Sequence, residues 1–248
     1  MQLKNLQGMK IFKFGGASVK DASGVKNLLK VIKRKADSNT IVIVSAMGKT
    51  TNALENIVST YFNKKNNLNS GISELYDYHK IILENLFPDK HQIFNEINIL
   101  FQRIKFFLEN NKSPNHSFVY DQVVTYGEII STTIINSFLN HNNIESVWLD
   151  ARDCIKTDSN YRGGNVQWTE TQKNILNKIQ KGKINVTQGF IGSDKNNFST
   201  SLGREGSDYS AAIFAYSLNG ESLTIWKDVP GVLNGDPKVF NNSRLLDQ

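Results

Sequence analysis

The residue types best suited to chemistry lie in short glycine-bearing segments. One apolar run ends in Lys13-Phe14-Gly15-Gly16, with Ser18 two residues on. Paired glycines at a strand end let the backbone approach a ligand and turn its N–H groups toward an anion. A lysine beside them supplies a point charge where a transferring phosphoryl group needs one. The same lysine also fits a strand end that reaches solvent, and the segment alone does not choose between these readings. A second segment, SAMGKTTN from Ser45 to Asn52, follows the apolar run TIVIV and contains Gly48-Lys49-Thr50, the ending of a phosphate-binding P-loop. That loop requires a further glycine five residues before its second one, so that its amides can wrap a polyphosphate. Ile43 stands there, inside the strand, and the P-loop reading fails.

Further on, TSLGREGSDYSAA spans Thr200 to Ala212 and places Arg204 and Asp208 across a glycine-punctuated turn into a helix. An arginine fork grips a carboxylate through paired hydrogen bonds and a carboxylate holds an ammonium, so the two together suit an amino acid. A loop salt bridge with Asp208 as a helix cap accounts for the same residues. Glu128, in VVTYGEIIS, lies near the start of an apolar helix, where the helix dipole alone would stabilise it. IWKDVPGVLNGDPK, from Ile225 to Lys238, is a strand followed by Gly- and Pro-rich turns, of the kind that hold ligands at sheet ends.

These segments sit among alternating elements. KIFKF precedes a helix starting near Ser23, and TIVIV one starting near Thr51; IESVWLD, KINVTQGFIG and SLTIWKD are further strands. The alternation predicts an α/β fold, a three-layer αβα sandwich whose largely parallel central sheet is covered on both faces. Ile72, Leu75, His79, Ile82 and Leu86, then Ile93, Ile97, Phe101, Ile104 and Leu108, keep a helical period on either side of Pro88-Asp89. They predict a helical-hairpin insertion over about 61–115 whose apolar faces pack on each other and on the sheet; a homodimer or lid surface is the alternative. A third helix is expected from Tyr120 to Leu139.

The 248 residues suffice for one large domain, with 39% hydrophobic and 10% aromatic residues. The formal charge of +6 is spread along the chain, with clusters only at Lys33-Arg34-Lys35 and Lys64-Lys65, so it reads as a solvated surface and not a nucleic-acid interface. One cysteine, Cys154, excludes an internal disulfide and a cysteine-rich zinc site, and is expected to be passive. Four scattered histidines show no metal-binding spacing. With neither a signal-peptide pattern nor an apolar run of the ~20 residues a membrane span needs, a cytoplasmic protein with no membrane partner is expected.

Taken in order, KFGGASV, SAMGKTTN, VVTYGEIIS, VTQGFIG, TSLGREGSDYSAA and WKDVPGVLNGDPK resemble the blocks of the aspartate kinases within the amino-acid kinase family, from residue 13 to 238. VTQGFIG and LGREGSDYSAA point to aspartate kinases over acetylglutamate, uridylate or carbamate kinases. The resemblance implies the amino-acid kinase fold and transfer of the γ-phosphoryl group of Mg-ATP to the β-carboxylate of L-aspartate, the first step toward lysine, threonine and methionine. Lys13, Gly15, Gly16 and Ser18 would then hold the ATP phosphates, and Mg²⁺ would be bound mainly through those phosphates. Thr51 would contact aspartate, Arg204 its carboxylate, and Glu128 and Asp208 its ammonium; Lys13 and Asp208 would be the catalytic pair. Lys227, Asp228, Leu233 and Lys238 fall at positions lining the nucleotide pocket.

Ala17, Lys227, Leu233 and Lys238 stand where the family usually has threonine, threonine, tyrosine and arginine. These changes remove a hydroxyl, a stacking ring and a guanidinium fork near the nucleotide. Similar enzymes continue past the segment matching RLLDQ with another helix and strand and paired regulatory ACT domains. The resemblance therefore implies a single catalytic domain over 1–248, shortened at its C-terminus and free of feedback inhibition. A kinase for another small acid, and an amino-acid-binding or partner-binding module without catalysis, are the competing readings.

Overall fold

Lys10–Phe14 forms β1 and Thr40–Val44 forms β2, joined through helix α1 (Ala22–Lys35). All five residues of β2 are buried, as expected of a parallel strand covered on both faces. The structure is a computed structural model that describes residues 8–64, 67–227, 231, 233–236 and 239–246. After β2 come five helices: α2 (Thr50–Phe62), α3 (Leu68–Leu86), α4 (Ile93–Asn110), α5 (His116–Val124) and α6 (Tyr126–His141). Strand β3 (Ser146–Leu149), short helix α7 (Ala151–Cys154), α8 (Trp168–Lys178) and β4 (Ile184–Gln188) follow. The hairpin β5 (Ile191–Ser193) and β6 (Ser199–Ser201), helix α9 (Gly206–Leu218) and β7 (Ser222–Trp226) complete the described elements.

The main sheet has the order β3-β4-β2-β1-β7, and every pairing in it is parallel. Alternation along the strands sends side chains to two cores. Phe12, Phe14, Val42, Val44 and Val186 join the apolar faces of α1, α2 and α6. Ile11, Ile41 and Ile43 join Ile175 of α8 and Ile213 and Phe214 of α9. The three layers are those expected. Period-two geometry also fixes the direction of Lys13: it lies on the Ile11 face, paired in register with Ile43 and Ile225, and so points toward α9.

Three local expectations need correction. The hairpin α3–α4 forms, but its principal contacts are with α1, α2 and α6 and not with the sheet, because those helices already occupy that face. The single helix expected over 120–139 is instead two, α5 and α6, meeting at Thr125. Its hydroxyl donates to the Asp121 carbonyl at 2.7 Å, the back-bonding that bends helices. The run 183–192 likewise breaks at Phe190, whose φ of 69° turns the chain from β4 into the small hairpin. Among the described residues no helix is long and apolar enough to cross a membrane.

Candidate active site

The carboxyl ends of β1, β2 and β4 and the start of α9 converge on one cavity of about 340 Å³. Gly16 opens a 3₁₀ turn, Gly16–Val19, pressed against the loop after β2. A Cβ at Gly16 would lie 2.4 Å from the Ala46 carbonyl oxygen, so only glycine allows this approach. The two loops are joined where Ser45 N–H donates to Phe14 O at 3.1 Å and Gly48 N–H to Gly16 O at 3.0 Å. Lys13, 6% exposed, sends its ammonium to Asp208 Oδ1 at 2.7 Å. Gly15 sits beside that ammonium, its Cβ position 3.8 Å from Lys13 Nζ.

Asp208 reaches Lys13 because α9 begins in a tight turn, with Gly203 at φ 77° and Glu205 at φ 54°. Helices α2, α6 and α9 all contribute first-turn residues to the cavity: Thr51, Glu128, and Gly206 to Asp208. None of the three has a side chain capping its first amides, leaving positive helix ends suited to anionic ligands. Glu128, in the first turn of α6, is buried and polar. Its Oε1 accepts from Ala46 N–H at 3.2 Å, and its buried Oε2 has no partner among the described residues. Burial pushes this carboxyl up to about 8, against a backbone hydrogen bond that lowers it. Ser131, one turn along α6, donates to Ser45 O at 2.8 Å and braces the same loop.

Of the residues singled out in the sequence, Lys13, Gly16, Thr51, Glu128 and Asp208 line this cavity. Arg204 does not pair with Asp208: it is exposed at the turn before α9, and Asp208 turns inward to Lys13. Ser18 and Lys227 line a second cavity of about 340 Å³ between α1 and the end of β7. There Ser18 Oγ donates to Trp226 O at 3.4 Å. Leu233 is half-buried and bridges to Leu245. Asp228 and Lys238 lie outside the described residues. Gly48-Lys49-Thr50 is no P-loop: Thr50 Oγ donates to Met47 O at 2.6 Å inside the first turn of α2. Ser45, Phe190, Glu205 and Ser207 also line the cavity and were not singled out. Their signal was adjacency to the glycine-bearing segments, which does not say which side chains point inward. Cys154 is buried, its thiol pushed up to about 12 by burial, as a passive residue should be.

The sequence profile of the Amino acid kinase family matches residues 8–248. The chain belongs to this family. Within the amino acid kinase family its relatives include lysine-sensitive aspartokinase 3 of Escherichia coli (strain K12), 28% identical over 250 residues that cover 96% of this chain and 53% of that protein. A bifunctional aspartokinase/homoserine dehydrogenase of Buchnera aphidicola is 30% identical over 253 residues, covering 96% of this chain and 30% of that protein. The crystal structure of E. coli aspartokinase III in complex with aspartate and ADP superposes with a TM-score of 0.87 at 27% identity, over 96% of this chain and 53% of that one. Clostridium acetobutylicum aspartate kinase gives a TM-score of 0.77 at 25% identity, over 96% of this chain and 52% of that one. The chain thus spans about half the length of the aspartokinases it matches, and less of the bifunctional enzymes. The parallel sheet and its flanking helices are those of the amino acid kinase fold.

Proposed function

We propose that the chain is an aspartate kinase catalytic domain that transfers the γ-phosphoryl group of ATP to the β-carboxylate of L-aspartate. The observation that carries this is the polarity of the cavity. One cavity is lined by the buried Lys13 ammonium, paired with Asp208, by the first turns of α2, α6 and α9, and by Glu128, whose buried Oε2 has no hydrogen-bond partner among the described residues. Such walls suit a ligand with separated negative and positive groups. The similarity to an aspartokinase that binds aspartate and ADP supports the same assignment.

Lys13, Gly15 and Gly16 would hold the phosphates, with Ser18, Lys227, Asp228, Leu233 and Lys238 toward the rest of the nucleotide. Thr51 and Arg204 would hold the amino acid's carboxylates, and Glu128 and Asp208 its ammonium. Aspartate's carboxylate is already a nucleophile, so no general base is required. The residues act by alignment and by offsetting the repulsion between a carboxylate and a polyphosphate. Among the described residues no three His, Cys, Asp or Glu side chains gather into a metal cage. A Mg²⁺ arriving with the nucleotide would be held chiefly by phosphate oxygens and would add screening. The protein would act in the cytoplasm, with residues 1–248 forming its catalytic domain. Calorimetric titration with L-aspartate and L-glutamate, followed by aspartate-dependent ADP formation, tests the reading. Aspartate binding with turnover is the expected result. Preference for glutamate would make it a kinase for another acid, and aspartate binding without turnover would make it a non-catalytic module.

A further inference from the structure

We propose that Tyr78 and His79, neighbours on α3, are positioning residues that clamp the loop after β1 to the loop after β2 and so set the width of the cavity. Its consequence for ligands rests on the kinase reading; its geometry does not. The Tyr78 hydroxyl donates to the Lys20 carbonyl, just past the 3₁₀ turn. The same hydroxyl fills the space over Gly48, where a Cβ would lie 2.6 Å from it. Gly48 adopts φ 56°, and its N–H is the one that donates to Gly16 O across the seam. One side chain therefore touches both loops where they meet.

His79 packs behind the adjoining turn. It is fully buried, and its Nδ1 lies 2.8 Å from the Leu75 carbonyl, which places the proton on Nδ1. Nε2 lies 3.4 Å from the Thr50 hydroxyl, whose proton goes to the Met47 carbonyl, so the ring packs behind the turn that presents Thr51 to the cavity without a hydrogen bond to it. The Tyr78 and His79 rings meet edge to face at 4.9 Å. Helix α3 is itself seated on α1 and α2, the helices that follow the two loops. The insertion braces the site from behind without contributing to its walls.

Tyr78→Phe removes one hydroxyl and keeps the ring. Loss of one hydrogen bond corresponds to roughly a three- to tenfold change in an equilibrium. In the ligand-free protein the Gly48 amide should exchange with solvent faster by about that factor, while amides in the middle of α3 keep their rates. Dissociation constants for ADP and aspartate, and the corresponding KM values, should rise by roughly three- to tenfold, with kcat within about twofold. Tyr76→Phe, which loses a hydroxyl on the same helix where the ring packs on Phe101 of α4, should match the wild type. Unchanged exchange at Gly48 would overturn the clamp. Faster exchange with unchanged ligand affinity, or an equal effect of Tyr76→Phe, would overturn its role in setting the cavity. Failure of the wild-type protein to bind either ligand would count against the kinase reading, and the exchange measurement would still decide the clamp.

Discussion

Replacing Glu128 with glutamine should stabilise the ligand-free protein increasingly as pH rises. The carboxyl's ordinary value of 4.5 is raised by burial to about 8, so between those values the folded state holds a proton that the unfolded state has released. Unfolding free energy therefore falls as pH increases through this window. Stability is fully present below 4.5, and the whole penalty has accumulated above about 8. At ~1.4 kcal/mol per pH unit, the penalty approaches about 5 kcal/mol, an upper bound because water entering the cavity would relieve part of it. Glutamine keeps an acceptor for Ala46 N–H and cannot ionise. Urea unfolding of both proteins at intervals from pH 5.5 to 8 should show the wild type losing about 3 kcal/mol relative to Glu128→Gln. His79, lowered to about 4 by its own burial, favours stability as pH rises toward its ordinary 6.5, but it is common to both proteins and cancels in the difference. Parallel pH profiles would refute the claim that Glu128 lacks a compensating charge. If the cavity takes an amine, L-aspartate at pH 8 should restore much of the wild-type loss and leave the glutamine variant nearly unaffected.

Lys13→Ala should lower turnover by at least ~100-fold, comparable with removing one transition-state donor, and near-normal turnover would remove Lys13 from that role. Arg204→Ala should weaken aspartate binding by about 2 kcal/mol, the scale of a charge-assisted hydrogen bond; because Arg204 is exposed, thermal stability should hardly change. Unchanged aspartate affinity in calorimetry would sink that assignment. Gly16→Ala drives a methyl group to 2.4 Å from the Ala46 carbonyl, so it should cost about 1–3 kcal/mol in urea unfolding and disrupt ligand binding. A variant with wild-type stability and affinity would show that the seam opens freely.

The sequence by itself determined the alternation of strands and helices, the helical hairpin on either side of Pro88-Asp89, and the glycine-bearing turns. Each of these depends on local periodicity or on the backbone freedom of one residue. It also carried the failure of the P-loop reading at Ile43, since that motif is defined by spacing alone. Tertiary structure decided which charges meet. Arg204 and Asp208 are close in sequence, yet the left-handed turn at Glu205 leaves Arg204 exposed while Asp208 finds Lys13 across the α9 face of the sheet. Glu128 read equally well as a residue stabilised by a helix dipole. Its lone oxygen became visible only when α6 was laid against Ala46 and Oε2 was left with no hydrogen-bond partner among the described residues. His79 read as part of an amphipathic helix and Tyr78 was not singled out, and only that helix's docking on α1 and α2 brought them to Lys20, Gly48 and Thr50. Local pattern fixes which face of an element is apolar; electrostatic pairing and burial depend on distances set by the whole packed chain, and no spacing within one segment contains them.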